Sequence, residues 1–107
     1  FYATSKTHEF LMSRNVPSVQ LWKISESRSP NIREYLENRR IDFVINIPQH
    51  RGSTEKTDGY FIRRISIDRG IPLITNVQLA KRVVEALEGL EAKNETKRMH
   101  WPDILTN

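Results

Sequence analysis

Hydrophobic positions along the chain change period several times, and each change predicts an element. Residues 1–3 are a short apolar run that reads as a strand. Residues 7–15 follow as a short helix with Phe10, Leu11 and Val16 on its apolar side, stopped by Pro17. Residues 18–23 alternate polar and apolar, with Val19 and Leu21 on one face, and predict a second strand. A polar, serine-rich loop spans 24–30. Residues 31–38 then place Ile32, Tyr35 and Leu36 at helical spacing. Residues 42–47 form a near-continuous apolar run, the pattern of a strand covered on both faces of a parallel sheet.

The second half repeats this alternation. Residues 48–59 form the longest loop, polar and containing Gly52, Ser53 and Thr54, of a length that in compact domains is functional or mobile. Residues 60–69 predict a helix that buries Phe61, Ile62 and Ile65, with Gly70 where a C-terminal cap belongs. Residues 71–75 are another apolar strand. Residues 77–90 are strongly periodic, with Leu79, Ala80, Val83, Val84, Ala86, Leu87 and Leu90 on the apolar stripe. Residues 91–107 read as a polar C-terminal tail anchored by Met99, Trp101, Ile104 and Leu105. Strands alternating with helices through short connections define an α/β fold with a mostly parallel sheet flanked by helices.

In such sheets ligands bind at the carboxyl ends of the strands. The residues there are Thr4, Ser5, Lys6 and Thr7, then Trp22 and Lys23, then Asn46, then Thr75 and Asn76. The first group lies on a strand-to-helix turn, where free backbone N–H groups and the positive end of the helix dipole favour a phosphate or a carboxylate. Capping of the helix by Thr4 or Ser5 is the competing reading. Converging hydroxyls, lysines, amides and an indole suit a small anionic ligand.

Composition narrows the field. At 107 residues the chain holds one domain, here residues 1–90, with 91–107 as its tail. It has no cysteine, which excludes a disulfide framework, thiol catalysis and cysteine-ligated zinc. No apolar run is long enough to cross a bilayer, and a polar helix begins almost at once where a signal peptide would lie. The net charge of +4 arises from 17 Lys and Arg against 13 Asp and Glu. The basic residues are interleaved with acids, as where Arg33, Arg39 and Arg40 share a segment with Glu34 and Glu37. That pattern reads as solvated helix faces, with neither a nucleic-acid patch nor a membrane surface. His8, His50 and His100 lack metal-ligand spacing and are expected to face solvent, so no metal site is expected.

Four segments occur in order: Phe1-Tyr2-Ala3-Thr4-x-x-Thr7, Ile41-Asp42-Phe43-Val44-Ile45-Asn46-Ile47-Pro48, Tyr60-Phe61-Ile62-Arg63-Arg64, and Asp68-x-Gly70-Ile71-Pro72-Leu73-Ile74-Thr75-Asn76. Together they resemble the methylglyoxal-synthase-like domain at the C-terminus of the large subunit of carbamoyl-phosphate synthetase. The resemblance implies a three-layer regulatory domain that binds an allosteric effector and holds no catalytic site. It also implies the partners: the rest of the large subunit, the glutaminase subunit and self-association into a homo-oligomer. No cofactor is expected in this chain, ATP and Mg being those of the parent synthetase of pyrimidine and arginine biosynthesis. The implied compartment is cytoplasmic, or mitochondrial for an animal urea-cycle form.

Roles carry over residue by residue. Thr4 and Thr7 match threonines that hold the effector's phosphate in nucleotide-regulated members, Lys23 matches a lysine on that phosphate, and Asn46 matches an asparagine at the next strand end. Pro48 stands where nucleotide-binding members can carry a threonine. The N-acetylglutamate-regulated animal form has a tryptophan in place of the lysine, and Trp22 adjoins Lys23, so UMP, IMP and an N-acetylglutamate-like anion all stay open. The family fold also begins with a central strand and a helix that have no counterpart before Phe1. Phe1 is therefore expected to follow a cut or an unordered segment, because without that strand apolar edges would be left unpaired.

True methylglyoxal synthases share this fold and form the alternative, a lyase acting on dihydroxyacetone phosphate. They need a carboxylate to take a proton next to a carbonyl. Where they carry Gly-Gly-Asp this chain has Arg28-Ser29, and Gln49 replaces a second aspartate. Asp42 lies at the wrong end of its strand, and Asp58 is expected to cap the following helix. Arg63 and Arg64 could reach an anion or pair with Asp68 at helical spacing. Asn76 reads as a cap for the last helix or a ligand contact.

Overall fold

The computed structural model describes residues 1–48, 58–93 and 101–107. Among them five strands form one sheet in which every pairing is parallel. These are β1 (Tyr2–Ala3), β2 (Val19–Gln20), β3 (Phe43–Ile45), β4 (Leu73–Ile74) and β5 (Ile104–Thr106), in the order β2-β1-β5-β3-β4. The helices are α1 (Ser5–Ser13), α2 (Ile32–Glu37), α3 (Asp58–Asp68) and α4 (Val77–Lys93), with a 3₁₀ turn at Ile24–Glu26. The α/β class and the parallel sheet are as the alternation predicts.

Helix boundaries follow local chemistry. Asn31 caps α2, its side chain accepting from the Glu34 N–H at 3.0 Å. Gly70 ends α3 at φ +68°, a left-handed turn that costs an L side chain strain, and the Ile71 N–H closes back onto the Ser66 carbonyl at 2.8 Å. Helix α1 begins at Ser5, two residues earlier than its hydrophobic period suggests. Ser5, Lys6 and Thr7 therefore form its first turn, and their N–H groups are those a helix leaves without an internal partner. Thr4 is the N-cap residue but makes no side-chain cap bond, so the capping reading does not hold there.

The sheet's centre corrects the expectation of a polar tail. Ile104, Leu105 and Thr106 form β5 between β1 and β3, with Leu105 opposite both Tyr2 and Val44. With β5 at the centre, neither β1 nor β3 has an unpaired inner edge. Two apolar residues beside a threonine are too few to stand out in a polar segment, yet they suffice for a strand paired on both sides. Ile104 and Leu105 are sealed from solvent.

The core gathers Leu21, Ile32, Leu36, Ile41, Val44, Ile62, Ile65, Ile71 and Leu105. Helices α2 and α3 supply Ile32, Leu36, Ile62 and Ile65, while α1 and α4 bury no residue. No helix among the described residues is long and apolar enough to cross a membrane. The middle of the predicted 48–59 loop lies outside the described residues.

Candidate functional site

At the carboxyl ends of the strands lies a cavity of about 410 Å³ lined by Thr4, Lys6, Thr7, Lys23, Asn46, Ile47, Pro48, Asp58, Gly59, Arg63 and Asn107. The fold delivers these groups from five directions. Thr4, Lys6 and Thr7 come from the β1–α1 junction, Lys23 from the edge of the 3₁₀ turn, Asn46 from the end of β3, Arg63 from α3 and Asn107 from the end of β5.

Of the nine strand-end residues singled out in the sequence, five meet here: Thr4, Lys6, Thr7, Lys23 and Asn46. Ser5, Trp22, Thr75 and Asn76 do not line the cavity. Ser5 is exposed on the first turn of α1. The Trp22 ring is covered by the guanidinium of Arg28, 4.8 Å from its centroid, a cation–π contact that occupies an aromatic face. Asn76 accepts from the Leu79 N–H at 3.0 Å and so caps α4.

Thr4 is buried and donates its hydroxyl to Asn107 Oδ1 at 2.6 Å. Asn46, 2% exposed, accepts from Arg63 Nη1 at 2.6 Å. Arg64 instead points away and pairs with Asp68 at 3.2 Å across one helical turn. The two arginines weighed together in the sequence therefore separate, the first to the cavity and the second to solvent. Among the described residues, Lys6, Lys23 and Arg63 give the cavity three cations against one side-chain carboxylate, Asp58.

Asp58 corrects the expectation of a helix cap. Its Oδ1 accepts from the Ser25 N–H at 3.1 Å and its Oδ2 from the Ser25 hydroxyl at 2.9 Å. It ties the 3₁₀ turn beside Lys23 to the start of α3, and it does so on the cavity's wall. A carboxylate thus stands nearer the turn than the sequence suggested, because the pairing joins residues 33 positions apart. Asp42 lies at the far end of β3, accepting from the Asp103 N–H at 2.7 Å. Asp58, Arg63 and Asn107 escaped or divided the sequence reading. For Arg63 the available signal was its position five residues into a helix whose N-terminus faces the strand ends.

The remaining candidates settle into packing or surface roles. His8 is half-buried and its Nδ1 lies 2.6 Å from the Ser18 hydroxyl, so it is not simply solvent-facing. His50 and His100 lie outside the described residues. Trp101 packs at 6.3 Å from Phe1 and its indole N–H donates to Glu91. No cluster of metal-ligating side chains occurs among the described residues. A second recess, of about 380 Å³, carries Arg33, Arg64 and Arg69 with Glu37 and Asp68 between α2 and α3. Its acids are already paired within their own helices.

Fold and cavity together define an α/β module with a cationic pocket at its strand ends. A model of the MGS-like domain family matches residues 1–75, and the chain belongs to that family. It is 40% identical over 90 residues to the carbamoyl phosphate synthase large chain of Thermoplasma acidophilum, covering 84% of this chain and 8% of the relative. To the C-terminal section of that large chain in Methanocaldococcus jannaschii it is 38% identical over 90 residues, 84% of this chain and 14% of the relative. To the mitochondrial carbamoyl-phosphate synthase (ammonia) of Homo sapiens it is 34% identical over 104 residues, 94% of this chain and 7% of the relative. The chain thus spans a small part of these relatives, 14% of the length at most.

Proposed function

We propose that this chain is the effector-binding, regulatory module of a carbamoyl-phosphate synthase large chain. The observation that carries the reading is the cavity itself. The first turn of α1, Thr7, Lys6 and Lys23 surround one space at the carboxyl ends of a parallel sheet, with the buried amide of Asn46 at its base. Free N–H groups at a helix start and two ammonium groups favour a phosphate or carboxylate over any neutral ligand. The chemical class is a small anion: a nucleoside monophosphate such as UMP or IMP, or an N-acetylglutamate-like dicarboxylate. Lys23 in the cavity and Trp22 outside it favour the phosphorylated class. The effector acts on the rest of the synthetase by binding two of its global states unequally, with a coupling of about 1–3 kcal/mol.

A thermal-shift panel with UMP, IMP and N-acetylglutamate tests this. An effector at about 100 times its dissociation constant stabilises the chain by about 2.7 kcal/mol. The Lys23→Ala variant is expected to lose most of the response to a phosphorylated ligand. Absence of any response to all three anions would overturn the proposal.

Asp58 supports a second reading, a lyase that takes a proton from the carbon next to a phosphorylated ketone's carbonyl. Both of its oxygens already accept from Ser25, which favours a structural carboxylate. Incubation with dihydroxyacetone phosphate is expected to yield no methylglyoxal; steady product formation abolished in Asp58→Asn would establish the lyase instead.

A further inference from the structure

The asparagine at the end of β3 has been fixed in one of its two orientations, and the fixing group is Arg63. A carboxamide can turn over about its last torsion with almost no change of shape, exchanging an acceptor oxygen for an NH₂ donor. A guanidinium carries donors only, so the Asn46 atom 2.6 Å from Arg63 Nη1 must be the oxygen. The Asn46 backbone is held as well, its N–H donating to the Ile74 carbonyl at 2.9 Å. The side-chain nitrogen bonds to none of the described residues. Asn46 is 2% exposed, yet no side-chain nitrogen among the described residues is both sealed from solvent and unpartnered. The NH₂ therefore opens onto the cavity that Asn46 lines.

We infer that Arg63 is a positioning residue that holds the Asn46 carboxamide with its NH₂ toward the bound anion, so that the base of the cavity offers donors only. This rests on the anion-binding reading above and assigns it a device for selectivity. Unheld, the amide would sample the flipped state and set a carbonyl oxygen against the ligand, where a phosphate or carboxylate oxygen is repelled. Held, it rejects at that point any ligand group that must donate. Arg63 thus acts through Asn46, and a cation on α3 serves the site without itself needing to touch the ligand.

The test is calorimetric titration of this chain with UMP and with inorganic phosphate, paired with the side-chain NH₂ resonances of Asn46. Arg63→Met is expected to weaken UMP binding about tenfold, the loss of one fixed charge-assisted hydrogen bond and its orientation. Arg63→Lys, which keeps a donor for the oxygen, is expected to restore most of that loss. In Asn46→Ala, the further change Arg63→Met is expected to cost less than threefold, since its target is gone. Asn46→Asp keeps the pairing with Arg63 but turns an oxygen to the ligand, and is expected to lose anion binding by a hundredfold or more. The Asn46 NH₂ pair is expected to shift on UMP binding in the wild type and to be averaged in Arg63→Met. Fully multiplicative losses in the double variant, or an Asn46 NH₂ pair indifferent to UMP, would overturn the inference while leaving the pocket intact. Failure of the wild type to bind UMP or phosphate, together with no thermal shift in N-acetylglutamate, would instead remove the anion-binding reading, and this inference with it.

Discussion

Helices α3 and α4 both carry an apolar stripe, and they use it differently. In α3, 11 residues long, Ile62, Ile65 and Ser66 are buried. In α4, 17 residues long and the more strongly amphipathic of the two, nothing is buried, and Leu79 and Leu90 are 52% and 51% exposed. The same contrast separates α2 from α1, whose Phe10 and Met12 stay open to solvent. Periodicity reports that a helix has an apolar face; it does not report what covers that face. The packing of this chain is concentrated around α2 and α3, and that side also anchors half of the cavity through Ser25, Asp58 and Arg63.

Core truncation should break the comparison most visibly. Ile62→Ala and Leu105→Ala remove side chains that are fully buried, and each is expected to cost about 2–5 kcal/mol by denaturant titration. Leu79→Ala on α4 is expected to stay within about 0.5 kcal/mol. Equal losses at Ile62 and Leu79 would mean that α4 is packed after all. A negligible loss at Leu105 would remove β5 from the centre of the sheet.

Smaller effects sharpen the same picture at the surface. Ser25→Ala deletes one of the two bonds that join the 3₁₀ turn to α3 and is expected to cost about 1 kcal/mol. Arg64→Ala removes only an exposed pair with Asp68 and is expected to cost less than about 1 kcal/mol, and less still in high salt. If Arg64→Ala costs more than Ser25→Ala, the division of labour between the two arginines is wrong.

The smallest effect is a pH dependence. Burial, and then the negative charge of Asp103, raise the Tyr2 phenol above its usual value of 10.0. The folded chain therefore holds this proton more tightly than the unfolded one. That contribution is complete below pH 10 and is lost as pH climbs through the folded value, so stability measured from pH 9 to 11 should fall more steeply than in Tyr2→Phe. Identical slopes would show that folding does not raise the Tyr2 phenol.

Much of the fold was legible because its signals are local. Val44 and Ile45 in an unbroken apolar run announced a covered strand, Asn31 and Gly70 marked helix ends, and the order of elements implied parallel pairing. β5 was not legible, since Ile104 and Leu105 gain their meaning only from β1 and β3, about 100 and 60 residues away. The site divides in the same way. Thr4, Thr7, Lys23 and Asn46 follow from the rule that strand ends bind ligands, whereas the Arg63–Asn46 and Asp58–Ser25 pairings depend on tertiary placement that spacing does not encode. Trp22 stands next to Lys23 in sequence, yet alternation along an extended segment sends neighbours to opposite sides, and Arg28 covers its ring.

Amide chemical-shift mapping of UMP on the isotopically labelled chain tests the central claim most directly. The largest shifts are expected at Thr4, Ser5, Lys6, Thr7, Lys23 and Asn46, with little change at Arg33, Arg64 and Arg69 in the recess between α2 and α3. Shifts centred on those three arginines, with the α1 turn unmoved, would contradict that claim.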